Sequence, residues 1–317
     1  MTSLTHTDRV LTEIESSTDE IVAFAADLVR IPTVNPPGEH YEECAHLLGD
    51  RLDGNGFEVQ YLVATGRPEH TSEHPRVNVL GRLETGAGPV VHLNGHLDVV
   101  PAGDGWTVDP FGGVVRAGRL YGRGSTDMKA GIAAAVYAVE ALRRVGASWD
   151  GTVEVSGTVD EESGGFAGVG WMAEQGYLSA SNTDVVIIPE PFGPDRVCIG
   201  HRGVYWFDLE TRGRTAHGSM PFLGVNAIDQ MSLVLDAVRD QLSPRLEDRL
   251  TTLPVVPPGA RHATINLNTI VGGQVDGGAV QSPCVPDRCT ATFDRRFLPE
   301  ESIEHVRGEI EQLLTRT

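Results

Sequence analysis

The sequence predicts an α/β protein, in which a large domain over residues 1–200 is followed by a smaller α+β domain over residues 201–317. In the first part, short apolar strands alternate with helices of 3.6-residue periodicity, an order typical of a mainly parallel mixed sheet covered by helices. In the second part the order is strand, helix, strand, strand, helix, which is one strand short of a ferredoxin-like unit. We therefore expect the second domain to be truncated at its C-terminal end.

The individual elements follow from periodicity and from residues that end helices and strands. Residues 19–30 place apolar side chains at helical spacing and stop before Pro32, which restricts the preceding residue. A second helix runs through Cys44 and Leu52 to Asn55-Gly56, where glycine favours a C-terminus. Further helices are predicted at 129–145, 226–242 and 299–314. Strands are predicted at 58–63, 77–83, 89–93, 151–162, 184–191, 204–211, 264–270 and 288–293.

Composition and charge exclude several classes of partner. The 317 residues carry 44 acidic and 25 basic side chains, a net charge of −19, which disfavours nucleic acid and anionic membranes as partners. No apolar run approaches the ~20 residues of a membrane span, and the N-terminus lacks the basic-then-apolar order of a secretion signal. We expect a cytoplasmic protein with four free cysteines. Lys129 is the only lysine, a bias typical of a GC-rich genome or a salt-loving host.

Acidic and histidine side chains follow the ends of apolar strands in the first domain. In α/β sheets, ligands bind outside the carboxyl ends of the strands. Imidazole and carboxylate groups are the ligands that suit Zn²⁺ and related divalent ions. Each motif alone has an ordinary explanation, such as a structural histidine or solvated loop charge, but the combination favours a metal site. The candidate residues are His96, Asp98, Asp127, Glu161, Glu162 and Glu190.

Spacing within this set suggests separate roles. Asp98 lies two residues after His96, so the two side chains share one face of a strand and the carboxylate can orient the imidazole. A carboxylate such as Asp127 can bridge two metal ions. Adjacent glutamates on an irregular turn can point in different directions, so that Glu162 binds metal while Glu161 is free to act as a general base.

The motifs GHLDVVP, GRGSTDMKAG, DEESGG, PEP and GRTAHGSMP, in this order and spacing, resemble the M20 metallopeptidase family. The stretch HRGVYWFDLETRGRTAHGS is most similar to its acetylornithine deacetylase / succinyl-diaminopimelate desuccinylase branch. The resemblance implies a phosphorylase/hydrolase-like catalytic domain, a ferredoxin-like lid or dimerisation domain, and a homodimer. It implies hydrolysis of the amide bond of an N-acyl amino acid by a metal-activated water. A dipeptidase or carboxypeptidase of the same family is the alternative.

The resemblance also implies a set of metal ligands. His96 and Glu190 would hold one ion, Asp127 would bridge both ions, and Glu162 would hold the second. Two divalent ions per subunit are expected, with Zn²⁺ as the default and Co²⁺ or Mn²⁺ accepted by the same ligands. The peptide bond between Asp127 and Met128 is expected to be cis.

Four further residues receive roles from the resemblance. Asp98 would support the imidazole ligand, and Glu161 would be the base that deprotonates the metal-bound water. His217 in the smaller domain would stabilise the tetrahedral intermediate, and Arg296 would bind a substrate carboxylate through its planar guanidinium. The alternatives are a surface-turn histidine at His217 and, at Arg296, an arginine that only pairs with a neighbouring acid.

Two departures from the family pattern stand against a complete active site. The family commonly has Asn three residues before the Pro-Asp that corresponds to Pro286-Asp287, and Pro283 stands there instead. Family members usually extend further, and no residue of this sequence corresponds to the histidine of the second metal. A truncated, catalytically inactive remnant that binds or dimerises is therefore the rival hypothesis.

Overall fold

The structure is a computed structural model. It describes residues 5–273, 275–276, 279–280 and 283–317. The chain divides into two units, Met1–Arg196 and Val197–Thr317. The four cysteines are free thiols, as expected: Cys44, Cys198, Cys284 and Cys289. Within the described ranges, no helix combines the length and apolar character that crossing a bilayer requires.

The first unit is built on a mixed sheet of five strands in the order β1-β2-β6-β3-β7. A separate hairpin is formed by β4 and β5. The strands of this unit are β1 (Glu58–Val63), β2 (Val77–Glu84), β3 (Val90–His96), β4 (Val114–Arg116), β5 (Arg119–Tyr121), β6 (Thr152–Thr158) and β7 (Val185–Ile187). Its helices are α1 (His6–Ser16), α2 (Thr18–Arg30), α3 (Tyr41–Gly54), α4 (Ala130–Arg144) and α5 (Val169–Glu174).

The mixed sheet is confirmed, but parallel pairing is not in the majority. Strand β3 pairs in parallel with β6 and β7, whereas β2 pairs antiparallel with both β1 and β6. The reason lies in the connections. Helices α4 and α5 link β3 to β6 and β6 to β7, and such crossovers are what parallel pairing needs, whereas β1 reaches β2 through a loop.

Helices α2, α3 and α4 supply the core that covers one face of this sheet. Leu28, Leu48 and Val136, one from each helix, are buried in one cluster with Val79 and Val155 of the sheet. The periodicity that predicted these helices is thus the periodicity of their buried faces. Packing of α4 against the sheet brings the turn before this helix to the carboxyl end of β3.

The second unit is a three-stranded antiparallel sheet in the order β8-β12-β9 with helices packed against it. Its strands are β8 (Gly203–Arg212), β9 (Thr264–Gly272), β10 (Val275–Asp276), β11 (Ala279–Val280) and β12 (Arg288–Phe297). Its helices are α6 (Ala227–Ala237), which continues as a π-helical turn to Leu242, α7 (Ser243–Glu247) and α8 (Ile303–Arg316). Asn226 begins α6 by accepting hydrogen bonds from the N–H groups of Ile228 and Asp229.

Two strands of the first unit are shorter than the sequence predicted, since the strand predicted at 184–191 is β7, Val185–Ile187. The strand predicted at 151–162 ends at Thr158, and its three acids lie beyond it, in a turn that starts at Asp160 and contains a 3₁₀ helix over Glu161–Ser163. Asp160 adopts a left-handed conformation with φ 59°, which ends the extended backbone. The three acids therefore leave the sheet in different directions.

Candidate metal centre

Three potential metal ligands converge at the carboxyl ends of the parallel strands. His96 is the last residue of β3, Asp127 lies in the irregular turn Ser125–Lys129 that precedes α4, and Glu190 follows β7. One ligand atom from each lies within 4.8 Å of the others. The peptide bond between Asp127 and Met128 is cis, as the resemblance implied.

Glycines allow these elements to approach so closely. A Cβ atom on Gly95 would lie 2.6 Å from the side chain of Ile132, so the first turn of α4 could not pack on β3. A Cβ atom on Gly131 would lie 2.3 Å from the carbonyl oxygen of Pro189, the residue before Glu190. Both positions therefore require glycine to bring the three ligands together.

His96 stands at the centre of the group and is only 2% exposed. Its Nε2 lies 3.0 Å from Oδ1 of Asp127, 3.6 Å from Oε1 of Glu190 and 3.9 Å from Oε2 of Glu161. Its Nδ1 lies 2.9 Å from the backbone carbonyl oxygen of Asp98. A hydrogen bond at Nδ1 is the usual way in which a protein directs Nε2 of a histidine toward a metal ion.

Asp98 lies beside His96 as predicted, and its carboxylate also has a second contact that the sequence did not indicate. Oδ1 is 3.5 Å from Nδ1 of His96 and accepts a hydrogen bond of 3.1 Å from the N–H of Glu161. Oδ2 accepts a hydrogen bond of 3.0 Å from the N–H of Glu162. A single buried carboxylate therefore holds both the histidine and the turn that carries the two glutamates.

Glu161 and Glu162 are not members of the group of three described ligands, although they flank it. Burial raises the pKa of Glu161, and the nearby charge of His96 only partly offsets this effect. Burial, together with the charge of Asp127, raises the pKa of Glu162 to about 7. Both carboxylates thus lie within electrostatic range of the proposed ligands.

The electrostatics of the group indicate an excess of negative charge. Burial alone would lower the pKa of His96, but hydrogen bonds with Asp127 and Asp98 outweigh it and raise this pKa to about 11. Burial and the charge of Asp127 raise the pKa of Glu190 to about 7. Several carboxylates surround one imidazole, so the group favours a positive charge at its centre.

These residues fit a divalent metal ion. The donor set combines an imidazole nitrogen with carboxylate oxygens, which suits Zn²⁺ and also accepts Co²⁺ or Mn²⁺. The imidazole is oriented through Nδ1, and the carboxylates repel one another unless a cation or protons lie between them.

Several polar contacts around the turn that carries Glu161 and Glu162 were not indicated by the sequence. Asp160, 2% exposed, accepts hydrogen bonds of 2.9 Å from both the hydroxyl of Tyr41 and Nε of Arg76. The side-chain amide of Asn35 donates to Asp98 and to Ser163. No sequence signal connects these positions, because they are far apart in the chain and meet only in the folded unit.

His217 and Arg296, the two site residues predicted in the smaller domain, both lie in the second unit. His217 is exposed, and its Nδ1 lies 2.7 Å from the hydroxyl of Ser219. Pro283, at the position of the family's asparagine, is close by, because its carbonyl accepts a hydrogen bond from the N–H of Gly218. The guanidinium of Arg296 donates two hydrogen bonds, of 2.7 and 2.9 Å, to the carboxylate of Asp294.

Comparison with known proteins finds one family over most of the chain. Residues 92–311 match the family model Peptidase family M20/M25/M40. A curated relative from Rhodospirillum centenum, named succinyl-diaminopimelate desuccinylase, is 32% identical over 306 residues, 92% of this chain and 72% of the relative.

Two solved structures share the fold. One, described as the novel di-peptidase Dug1p from Saccharomyces cerevisiae, has a TM-score of 0.77 at 17% identity, over 99% of this chain and 77% of that chain. The other is the YXEP protein of Bacillus subtilis, described as a dinuclear metal binding peptidase from the M20 family. Its TM-score is 0.54 at 14% identity, over 95% of this chain and 70% of that chain.

Proposed function

Because the chain belongs to the peptidase family M20/M25/M40, whose members hydrolyse amide or peptide bonds, we propose that it is a metal-dependent amidohydrolase that removes the acyl group from an N-acyl amino acid. The observation that carries this proposal is the convergence of His96, Asp127 and Glu190 within 4.8 Å, beside a turn that presents two further carboxylates. The desuccinylase relative supports an N-succinyl amino acid as the substrate class.

The proposed site holds two divalent metal ions, in keeping with the dinuclear metal binding described for the Bacillus subtilis YXEP protein. His96 and Glu190 would hold one ion, Asp127 would contact both, and Glu162 would hold the other. Such ions supply a Lewis acid and an activated water at neutral pH. We propose Zn²⁺ as the native ion, because mixed nitrogen and oxygen ligands favour it.

The protein's own residues would move the proton and orient the ligands. Glu161 lies 3.9 Å from His96 on the same turn as Glu162, which supports a role as the base that would accept a proton from the attacking water and return it to the leaving amine. Asp98 would keep His96 and both glutamates in place through the hydrogen bonds described above.

The second unit would supply the contacts to substrate. We propose that it is the lid and dimerisation domain of a cytoplasmic homodimer, that His217 stabilises the oxyanion, and that Arg296 binds a substrate carboxylate. Asp294 accepts from Nε and one terminal nitrogen of Arg296. A substrate carboxylate would therefore bind the opposite edge of the guanidinium, through two parallel hydrogen bonds.

A dipeptidase is the second candidate function, favoured by the high TM-score with the di-peptidase Dug1p. Purified chain loaded with Zn²⁺ or Co²⁺ should be assayed on N-succinyl-diaminopimelate, N-acetyl amino acids and unblocked dipeptides. We expect the acylated amino acids to be hydrolysed fastest. Preference for dipeptides would establish the second candidate instead, and metal binding without turnover of any substrate would favour the inactive remnant.

The variant Glu161→Gln tests the proposed base. It keeps the size of the side chain, so the metal ions should still bind, while loss of general-base catalysis should lower kcat by about 10²–10⁴-fold. An unchanged kcat would exclude Glu161 as the base.

A further inference from the structure

The segment Thr33–Asn35, between α2 and α3, runs alongside the residues that follow β3. The hydroxyl of Thr33 donates to the carbonyl of Leu97 at 2.6 Å. The N–H of Asn35 donates to the carbonyl of Val99 at 2.9 Å, and the N–H of Val99 donates to the carbonyl of Thr33. This segment is therefore fixed to the backbone on both sides of Asp98.

The side chain of Asn35 points from this segment into the proposed metal site. It is 4% exposed, and its amide nitrogen donates to Oδ2 of Asp98 at 3.2 Å and to the hydroxyl of Ser163 at 2.9 Å. Oδ2 of Asp98 is also the acceptor for the N–H of Glu162. The amide of Asn35 thus contacts both Asp98, which accepts from the N–H groups of Glu161 and Glu162, and Ser163 on the same turn as these glutamates.

The same segment is tied to the turn that carries Asp127. Lys129, which is fully buried, donates from Nζ to the carbonyls of Leu28 and Ile31 at 2.9 and 2.8 Å. Those carbonyls lie at the end of α2, just before Thr33. The segment therefore connects two of the loops that bear proposed metal ligands.

We propose that Asn35 is a positioning residue of the metal centre, which fixes the orientation of Asp98 and of the turn that presents Glu161 and Glu162. This inference rests on the proposed function, because it assumes that these side chains bind and use metal. Without the amide of Asn35, Oδ2 of Asp98 and the hydroxyl of Ser163 lose a shared donor, and the turn gains freedom relative to His96.

Asn55 provides a matched control in the same unit. Its amide nitrogen also donates two hydrogen bonds, to the carbonyl of Arg51 and to Oε2 of Glu140 at 3.0 Å, but it lies at the C-terminus of α3. The substitutions Asn35→Ala and Asn55→Ala therefore remove equivalent groups. Asn35→Asp and Asn55→Asp each place a carboxylate against a carboxylate without changing the shape of the side chain.

The first measurement is the Kd for Zn²⁺ alone, from competition with a chromophoric chelator, on the folded fraction of each variant. We expect Asn35→Ala to raise this Kd by up to about 10-fold, the lower end of the range for losing a direct hydrogen-bond partner of a metal ligand, because Asn35 acts through Asp98. Asn35→Asp should raise it further, and both Asn55 variants should stay within about twofold of wild type. If Asn35→Ala does not fold, Ser163→Ala serves instead. It removes one of the two acceptors of the Asn35 amide, the one on the exposed turn.

The second measurement separates positioning from stability. On the preferred substrate, Asn35→Ala should lower kcat at saturating Zn²⁺ while KM changes little, because the residue acts on the ligands and the base. Equal Zn²⁺ affinity in Asn35→Ala, Asn55→Ala and wild type would overturn the inference and leave the proposed function standing. A wild-type chain that binds no divalent ion would overturn both.

Discussion

Both units of the protein place carboxylates close together, but they balance the charge in opposite ways. In the second unit, Arg249 pairs with Glu301 at 2.7 Å and with Glu309 at 2.5 Å, and Arg295 pairs with Glu301 at 2.8 Å. In the first unit, the carboxylates near His96 face one another, and no arginine makes an ion pair with Asp127, Glu162 or Glu190 among the described residues.

The pKa values follow this difference. In the second unit, burial would raise the pKa of Glu301, but hydrogen bonds from the N–H of Leu298 and from Arg249 and Arg295 lower it. In the first unit, burial and neighbouring charge raise the pKa of Glu162 and Glu190 to about 7. Removing an arginine partner from a buried acid destabilises a fold, whereas closely spaced acids without such partners favour a cation between them.

Loss of a proposed ligand in the first unit should lower activity more than any other single change. His96→Ala or Asp127→Ala should lower the rate of amide hydrolysis by more than the about 100-fold that loss of an outer partner costs. The measurement is kcat/KM with added Zn²⁺ on the preferred substrate. Glu42→Gln, which changes an exposed acid in the first turn of α3, is the control and should retain activity. Full activity in Asp127→Ala would show that Asp127 is not part of the site.

In the second unit, Arg295→Met should lower the free energy of unfolding by about 3–5 kcal/mol, because it leaves buried Glu301 with one partner fewer. Urea denaturation measures this change. Arg239→Met, which removes an exposed pair with Asp236, should have a much smaller effect, because solvent screens exposed ion pairs. Equal effects of the two variants would mean that the buried network does not stabilise the unit.

Metal should stabilise the first unit in proportion to its binding. At a free Zn²⁺ concentration of 100 Kd, mass action raises the free energy of unfolding by about 2.7 kcal/mol. Thermal unfolding with and without Zn²⁺ measures the increase, and Asp127→Ala should show none. A similar increase in that variant would indicate that Zn²⁺ binds elsewhere.

A smaller effect is expected from the pH dependence of the second unit. Since the pKa of Glu301 is lower in the folded than in the unfolded chain, its contribution is present above the unfolded value and is lost as the pH falls through the folded value. The difference in unfolding free energy between wild type and Glu301→Gln should therefore shrink from pH 7 toward pH 3. A difference independent of pH would show that charge is not the cause.

Local sequence patterns predicted most of the elements, since periodicity reports which face of an element is buried. Strand β1 has the predicted bounds, and α2 and α4 lie within a residue or so of theirs. Helix α1, which has no buried residue and few apolar side chains, and the hairpin of β4 and β5, whose strands have only three residues each, were not predicted. Strand direction was predicted less well, because it depends on connections between distant segments.

The candidate site shows the same limit. Its candidate ligands could be selected because strand ends and unusual polar residues are visible in the sequence, and the structure brings His96, Asp127 and Glu190 together. The contacts of Asn35 with Asp98 and Ser163 join residues 63 and 128 positions apart, so no local pattern could indicate them. The pair of Arg296 and Asp294 was within reach of the sequence, because residues two apart on a strand share a face.

The proposed function depends above all on whether the acidic group around His96 is a metal centre. Elemental analysis of the purified chain after dialysis against metal-free buffer, in parallel with Asp127→Ala, tests this most directly. We expect at least one tightly held divalent ion per wild-type chain and a clear loss of that ion in the variant. Equal metal content in the two proteins, or none in either after incubation with Zn²⁺, would contradict a metal centre at this site.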